Sequence, residues 1–213
     1  MNSTLSESDP APQTRPASAT PPWLWMVPVI LVAGLVFVSR TKTTLPSGQD
    51  SAAIGESAPE LDLLRLTSDP DPITLEQLVP GKVTLIHFWG TWCGPCKMEY
   101  PHLSETVAKL EANPQFEFVS ISCESGSSET YDHLKQKTYE FLNKIQASTE
   151  VYADPYGVTR SSAAERMQQS AMYFPTSMLV DQEGIIRGVW QGYAPEAVAE
   201  MEAAVMRLLS ERT

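Results

Sequence analysis

The sequence predicts an α/β domain, a central mixed β-sheet flanked by helices, preceded by one apolar segment. Three observations predict it. Short apolar or β-branched runs alternate with stretches of helical period across residues 59–213. The last two of those runs are separated by a four-residue turn, so they form a hairpin and not a crossover. A single charge-free stretch stands near the N-terminus, well apart from the rest.

Residues 1–22 carry five prolines among Ser, Thr and Ala with no apolar period, and a disordered tail is expected there because nothing offsets the entropy of ordering it. The run WLWMVPVILVAGLVFV, residues 23–38, has no charge and would rise roughly 24 Å as a helix at about 1.5 Å per residue. With Ser39 it predicts a single membrane span over residues 23–39, Trp23 and Trp25 at one interface and Arg40 and Lys42 at the other. A cleaved signal peptide fits less well, since the leader is long and Pro-rich and no A-x-A follows. Residues 40–58 read as a polar linker and residues 59–213 as the folded domain, about 155 residues, enough for one core. The charge balance of Arg40 and Lys42 against Arg15 would place that domain in the cytoplasm.

Within the domain, VTLIHFW (83–89), FEFVSIS (116–122), EVYA (150–153), SMLV (177–180) and IIRGVWQ (185–191) are the expected strands. Leu103, Val107 and Leu110 recur at helical spacing after the first strand, and a second helix is expected from Tyr131 to Ile145. Pro195 followed by Val198, Met201, Val205 and Leu208 marks a C-terminal helix with Pro near its first turn. Asp181-Gln182-Glu183-Gly184 supplies the hairpin turn.

The chain holds 15 Lys and Arg against 26 Asp and Glu, a net charge of −11, which argues against a nucleic-acid binder. Its three cysteines are too few for a disulfide-built scaffold, and the one close pair, Cys93 and Cys96, has the two-residue spacing of redox chemistry or of half a metal site. A zinc site needs two more ligands, and Cys123, His87, His102 and His133 offer no second pair at ligand spacing, so no metal is expected.

Cys93 falls where a buried strand passes into a helix. Unpaired N–H groups and the helix dipole favour negative charge there, making Cys93 the attacking thiolate. Cys96, one turn in, shares its helix face and can resolve a mixed disulfide. Pro95 removes an N–H that has no helical partner, and Trp92 offers an apolar shelf beside the sulfur. The redox pair is itself the reacting group, and no other cofactor is expected.

The run Phe88-Trp89-Gly90-Thr91-Trp92-Cys93-Gly94-Pro95-Cys96-Lys97-Met98-Glu99-Tyr100-Pro101, with Phe174-Pro175-Thr176 and the turn at residues 181–184 in the same order, resembles the thioredoxin superfamily, and within it the membrane-anchored TlpA/ResA/DsbE-type branch. The resemblance implies a thioredoxin-like fold and a cis bond before Pro175. It also implies substrate contacts from Trp92, Gly94, Pro95, Phe174 and Thr176, and a role for Glu99 in tuning thiol acidity or passing protons. His87 departs from the pattern, which has Asp or Asn there; it is either a neutral proton relay near its ordinary pKa or a core residue. Cys123 reads as an inert small hydrophobe.

The resemblance further implies a domain on the extracytoplasmic, periplasmic side of the cell membrane, against the weak charge count. Its clients would be protein disulfides, apocytochrome c among them, reduced with electrons from a membrane donor. Gly-Pro between the cysteines is the thioredoxin dipeptide, at the reducing end of the range near about −270 mV. The alternatives are an extracytoplasmic oxidant or isomerase, a redox-silent interaction module, and copper binding, for which the spacing and the absence of a His after His133 are unfavourable. Peroxide reduction lacks its P-x-x-x-T-x-x-C nucleophile motif.

Overall fold

Val83–Trp89 is apolar or aromatic at most positions and buried at all seven, as a strand with parallel or covered neighbours on both faces must be. A computed structural model, which describes residues 48–66 and 74–211, places it near the middle of a seven-stranded sheet. The strands are β1 (Leu63–Arg65), β2 (Thr74–Leu75), β3 (Val83–Trp89), β4 (Phe116–Ser122), β5 (Val151–Ala153), β6 (Thr176–Val180) and β7 (Ile186–Gln191). Their order is β2-β1-β5-β4-β3-β6-β7. The β3, β4 and β5 ladders are parallel, and β6 and β7 turn back antiparallel, giving the expected mixed sheet.

The helices are α1 (Gly94–Leu110), α2 (Tyr131–Ile145), α3 (Val158–Arg166) and α4 (Ala197–Ser210). Strand alternation sorts the core into two layers. Val83, Leu85 and Trp89 face Leu103 and Val107 of α1, Met201 and Val205 of α4, and Leu134 and Leu142 of α2. Ile86 and Phe88 face the other way, toward Ala163 of α3, Met167 and Ala53.

Pro101 lies inside α1 without ending it. Thr130 caps α2 by accepting from His133 N at 3.3 Å, and α4 begins at Ala197, two residues after Pro195. The hairpin turn is built on Asp181, whose Oδ1 accepts from Glu183 N (3.0 Å) and Ile185 N (2.8 Å); Gly184 takes φ 80°, a conformation a side chain resists.

One boundary is corrected. Residues 48–58, expected as the C-terminal part of the 40–58 linker, run along the outer edge of β7. Val189 N donates to Gly48 O (2.6 Å), Gly55 N to Ile186 O (2.9 Å) and Ile186 N to Glu56 O (2.9 Å), and Ala53 is fully buried. An unpaired sheet edge needs these bonds, so the segment belongs to the domain that was expected to start at residue 59. The tail of residues 1–22 and the span of residues 23–39 lie outside the described residues; among the described residues no helix is long and apolar enough to cross a membrane.

Candidate active site

At the C-terminal end of β3 the chain leaves the sheet and enters α1 through Gly90-Thr91-Trp92-Cys93. Cys123 N holds the strand end by donating to Trp89 O at 2.7 Å, and Cys93 N closes the turn onto Gly90 O at 3.1 Å. Cys93 is the N-cap of α1: its sulfur accepts from Cys96 N at 3.2 Å, and the first helical turn holds no acidic residue. The helix N-terminus therefore favours an anionic sulfur at Cys93 without local opposition. Cys93 and Cys96 form a disulfide with an S–S distance of 2.11 Å; both are buried, Cys96 completely. Gly94 and Pro95 between them are exposed.

Glu99 lies one turn beyond Cys96, on the same buried face of α1. Burial pushes its carboxyl up to about 7 from 4.5. Below it, on β3, His87 is wholly enclosed, and burial drops its imidazole to about 3. Burial thus keeps His87 neutral at physiological pH, which favours the core residue of the two readings over a relay titrating near its ordinary pKa. Its Nδ1 is 2.8 Å from Ser177 Oγ, and its Nε2 is 3.8 Å from Glu99 Oε2. Tyr100 packs its ring beside Trp89 at 4.1 Å and shares a 2.7 Å hydrogen bond with Ser120.

The peptide bond before Pro175 is cis. Thr176 Oγ1 turns inward to donate to Tyr173 O (2.8 Å), so its side chain is committed to the loop itself. Phe174 meets the edge of Trp92, ring centroids 5.3 Å apart, which brings the proline loop beside the cysteine loop. Trp92 Nε1 donates to Cys123 O at 3.0 Å. Next to this aromatic pair opens a groove of about 660 Å³, lined by Tyr131, Tyr156, Arg160 and Met172 and by the loop after Cys123. Glu129 ties that loop down, accepting from Ser125 N (2.7 Å) and Lys137 Nζ (2.7 Å).

The sequence pattern of the Redoxin family matches residues 53–205, most of the chain and all of this site. The chain belongs to the Redoxin family. The curated relatives of this redoxin include the thiol-disulfide oxidoreductase ResA of Oceanobacillus iheyensis, 30% identical over 44% of this chain and 48% of that one. They also include the thiol:disulfide interchange protein HelX of Rhodobacter capsulatus, 33% identical over 38% of this chain and 46% of that one. The match thus spans about half the length of each. Among solved structures, a thiol:disulfide interchange protein of the thioredoxin family from Chlorobium tepidum superposes with a TM-score of 0.55, covering 72% of this chain and 95% of its own at 22% identity, and shares the fold.

In this redoxin the structure brings together most residues the sequence singled out: Cys93, Cys96 and Glu99 on α1, and Trp92 and Phe174 from two loops. Cys123 is fully buried and its thiol is pushed up to about 12, as an inert core residue would be. Sequence reasoning passed over Ser177, the partner of His87, and Tyr156, exposed on the groove. A serine inside a strand and a lone tyrosine in a loop give no sequence signal of such roles.

Proposed function

We propose that this redoxin is a protein thiol-disulfide oxidoreductase that works as a reductase with the Cys93–Cys96 pair as its only redox group. The observation that carries the reading is the disulfide at the N-terminus of α1, with Cys93 as the cap residue. In the dithiol form the Cys93 thiolate attacks a client disulfide, one client sulfur leaves as a thiol, and a mixed disulfide remains. Cys96 then loses its proton and attacks the Cys93 sulfur. The mixed bond breaks, the second client thiol is released, and the Cys93–Cys96 disulfide re-forms. Two electrons pass to the client, and an external dithiol must return them.

Exposed Trp92, next to Cys93 in the chain, and exposed Tyr156 both line the groove and give a polypeptide client an apolar landing surface. The loop ending in cis-Pro175 lies beside it, where Phe174 can pair its backbone with a client strand. The relatives named as oxidoreductases support this reading, and the family resemblance extends it. Residues 23–39 anchor the chain in the cell membrane, the domain faces the periplasm, a membrane donor supplies electrons, and apocytochrome c is among the clients. A reporter fused after Thr213 that is active only in the cytoplasm would sink that placement.

The test of the activity itself is the equilibrium reduction potential of the pair, titrated in the full chain against glutathione and dithiothreitol buffers. A value near or below about −250 mV supports a reductase, and one near about −120 to −180 mV makes it an oxidant or isomerase. No two-electron transition at all overturns the enzymatic reading. In parallel, Cys96→Ser is expected to trap clients as mixed disulfides on Cys93, separable on non-reducing gels, and Cys93→Ser to trap none.

A further inference from the structure

Before Cys96 can resolve a mixed disulfide it must lose its proton, and it is sealed from solvent. Glu99 follows one turn along the same buried helix face, and this much the sequence resemblance already implies. What the sequence does not carry is what lies beneath Glu99. His87 Nε2 and Glu99 Oε2 are both buried, both lack a hydrogen-bond partner, and they face each other at 3.8 Å. Buried polar atoms are seldom left unpaired, and two orphans aimed at one another across a gap less than 1 Å beyond bonding distance form an incomplete hydrogen bond.

The surroundings fix what kind of bond it is. On β3, Leu85 and Trp89 flank His87. From β4 come Phe118, whose ring lies 6.4 Å away, and Ser120; from β6 comes Ser177; from α1 come Tyr100 and Glu99. From α4 the same layer receives Ala197, Val198 and Met201, while exposed Glu200 accepts from Trp190 Nε1. Tyr100 is held protonated by burial, so Glu99 is the one group of this shell that changes charge near neutrality. When Ser177 Oγ–H donates to Nδ1, the neutral imidazole carries its hydrogen on Nε2, pointing at Glu99.

We propose that His87 is a positioning residue for proton transfer: fixed by Ser177 as the neutral Nε2–H form, it closes a hydrogen bond onto Glu99 as that carboxyl ionises, and so sets how readily Glu99 takes the proton of Cys96. The inference rests on the oxidoreductase reading and deepens it. In the resolving step the Cys96 proton passes to the Glu99 carboxylate, the Cys96 sulfur bonds to Cys93, and the client thiolate leaves; Glu99 later releases the proton to the departing thiolate or to water. His87 donates throughout and is never itself protonated. A neutral donor serves here because a buried imidazolium beside the pair would be costly, whereas a charge-assisted bond from a neutral N–H favours the carboxylate directly.

The test is ¹⁵N NMR of histidine-labelled full chain in detergent micelles, where only three histidines contribute and His87→Gln assigns the signal. The expected result is the Nε2–H pattern at pH 8 and no imidazolium down to pH 5. The Nε2 signal should shift with a single midpoint near 7 that is lost in Glu99→Gln. An Nδ1–H pattern at pH 8, imidazolium formation near pH 6.5, or pH-independent signals would overturn it. The second readout is the pH profile of mixed-disulfide resolution. His87→Leu, which fits an apolar site, is expected to move the rising limb up by about one pH unit, a tenfold loss at pH 6; His87→Gln, whose amide nitrogen can replace Nε2–H, keeps it. An unmoved limb in His87→Leu overturns the proposal. Absence of turnover in the wild type, with the NMR midpoint intact, would instead overturn the oxidoreductase reading and leave the buried hydrogen bond standing.

Discussion

Replacing Glu99 by Gln is expected to stabilise the oxidised protein in alkali and to leave it almost unchanged in acid. The carboxyl ionises at about 7 in the fold against 4.5 ordinarily, because burial disfavours the charge. Between those values the unfolded chain has already released a proton that the fold retains, so this group makes stability fall as pH rises, and the full cost is present above about 7. At about 1.36 kcal/mol for each pKa unit, the gap between 4.5 and 7 comes to about 3 kcal/mol. Glutamine keeps the shape, cannot ionise, and loses no bond at the position of Oε2, which accepts none in the structure. Urea unfolding of both proteins at about pH 4 and pH 8.5, with equal m-values, reads the difference directly. The variant is expected to gain about 3 kcal/mol at the higher pH and close to nothing at the lower. A difference independent of pH would refute the argument, because it would mean that Glu99 does not carry the buried charge assigned to it.

His87 acts with the opposite sign. Its imidazole is held down at about 3 against 6.5, so its contribution is full above about 6.5 and is lost as pH falls toward 3, by up to about 5 kcal/mol; His87→Leu is expected to flatten that acid limb in the same urea series. Gly90→Ala tests the aromatic pair beside the cysteines. A Cβ there would lie 2.5 Å from Trp92 Nε1 and 3.1 Å from Cys123 O, so the indole must swing out and give up its bond to that carbonyl. The expected cost is about 1–3 kcal/mol, with a red-shifted Trp92 emission and slower client reduction at an unchanged Cys93–Cys96 potential.

The parts of the fold that could be read beforehand are those whose residues carry their own signal. The apolar runs of β3 and β4 and the 131–145 helix coincide with the observed elements because each is long enough for its period to show. The strands β1 and β2, three and two residues long, and helix α3 escaped notice for the converse reason. In α3 the buried residues are Thr159, Ala163 and Ala164, too small or too polar to mark a stripe. Its start is fixed from outside by Asp154, which accepts from Thr159 N at 3.3 Å and Arg160 N at 2.9 Å. The same holds for residues 48–58, whose polar composition reads as a linker and whose order comes from β7.

The site divides along the same line. Cys93, Cys96 and Pro175 sit in local motifs, and their roles follow from short-range geometry: a helix start, an i,i+3 spacing, an X-Pro bond. The relation of His87 to Glu99 crosses from a strand to a helix and depends on a third element, β6, that places Ser177 against the far ring nitrogen. Alternation along β3 requires only that position 87 face α1; it does not say whether a histidine there meets an apolar wall or a carboxyl. The structure decides this by leaving the two atoms unpaired in a layer whose other buried polar groups, Ser120, Ser177 and Tyr100, have partners. A fold selected for stability alone would fill that layer with hydrophobic side chains, so the retained pair marks the place where stability yields to proton chemistry.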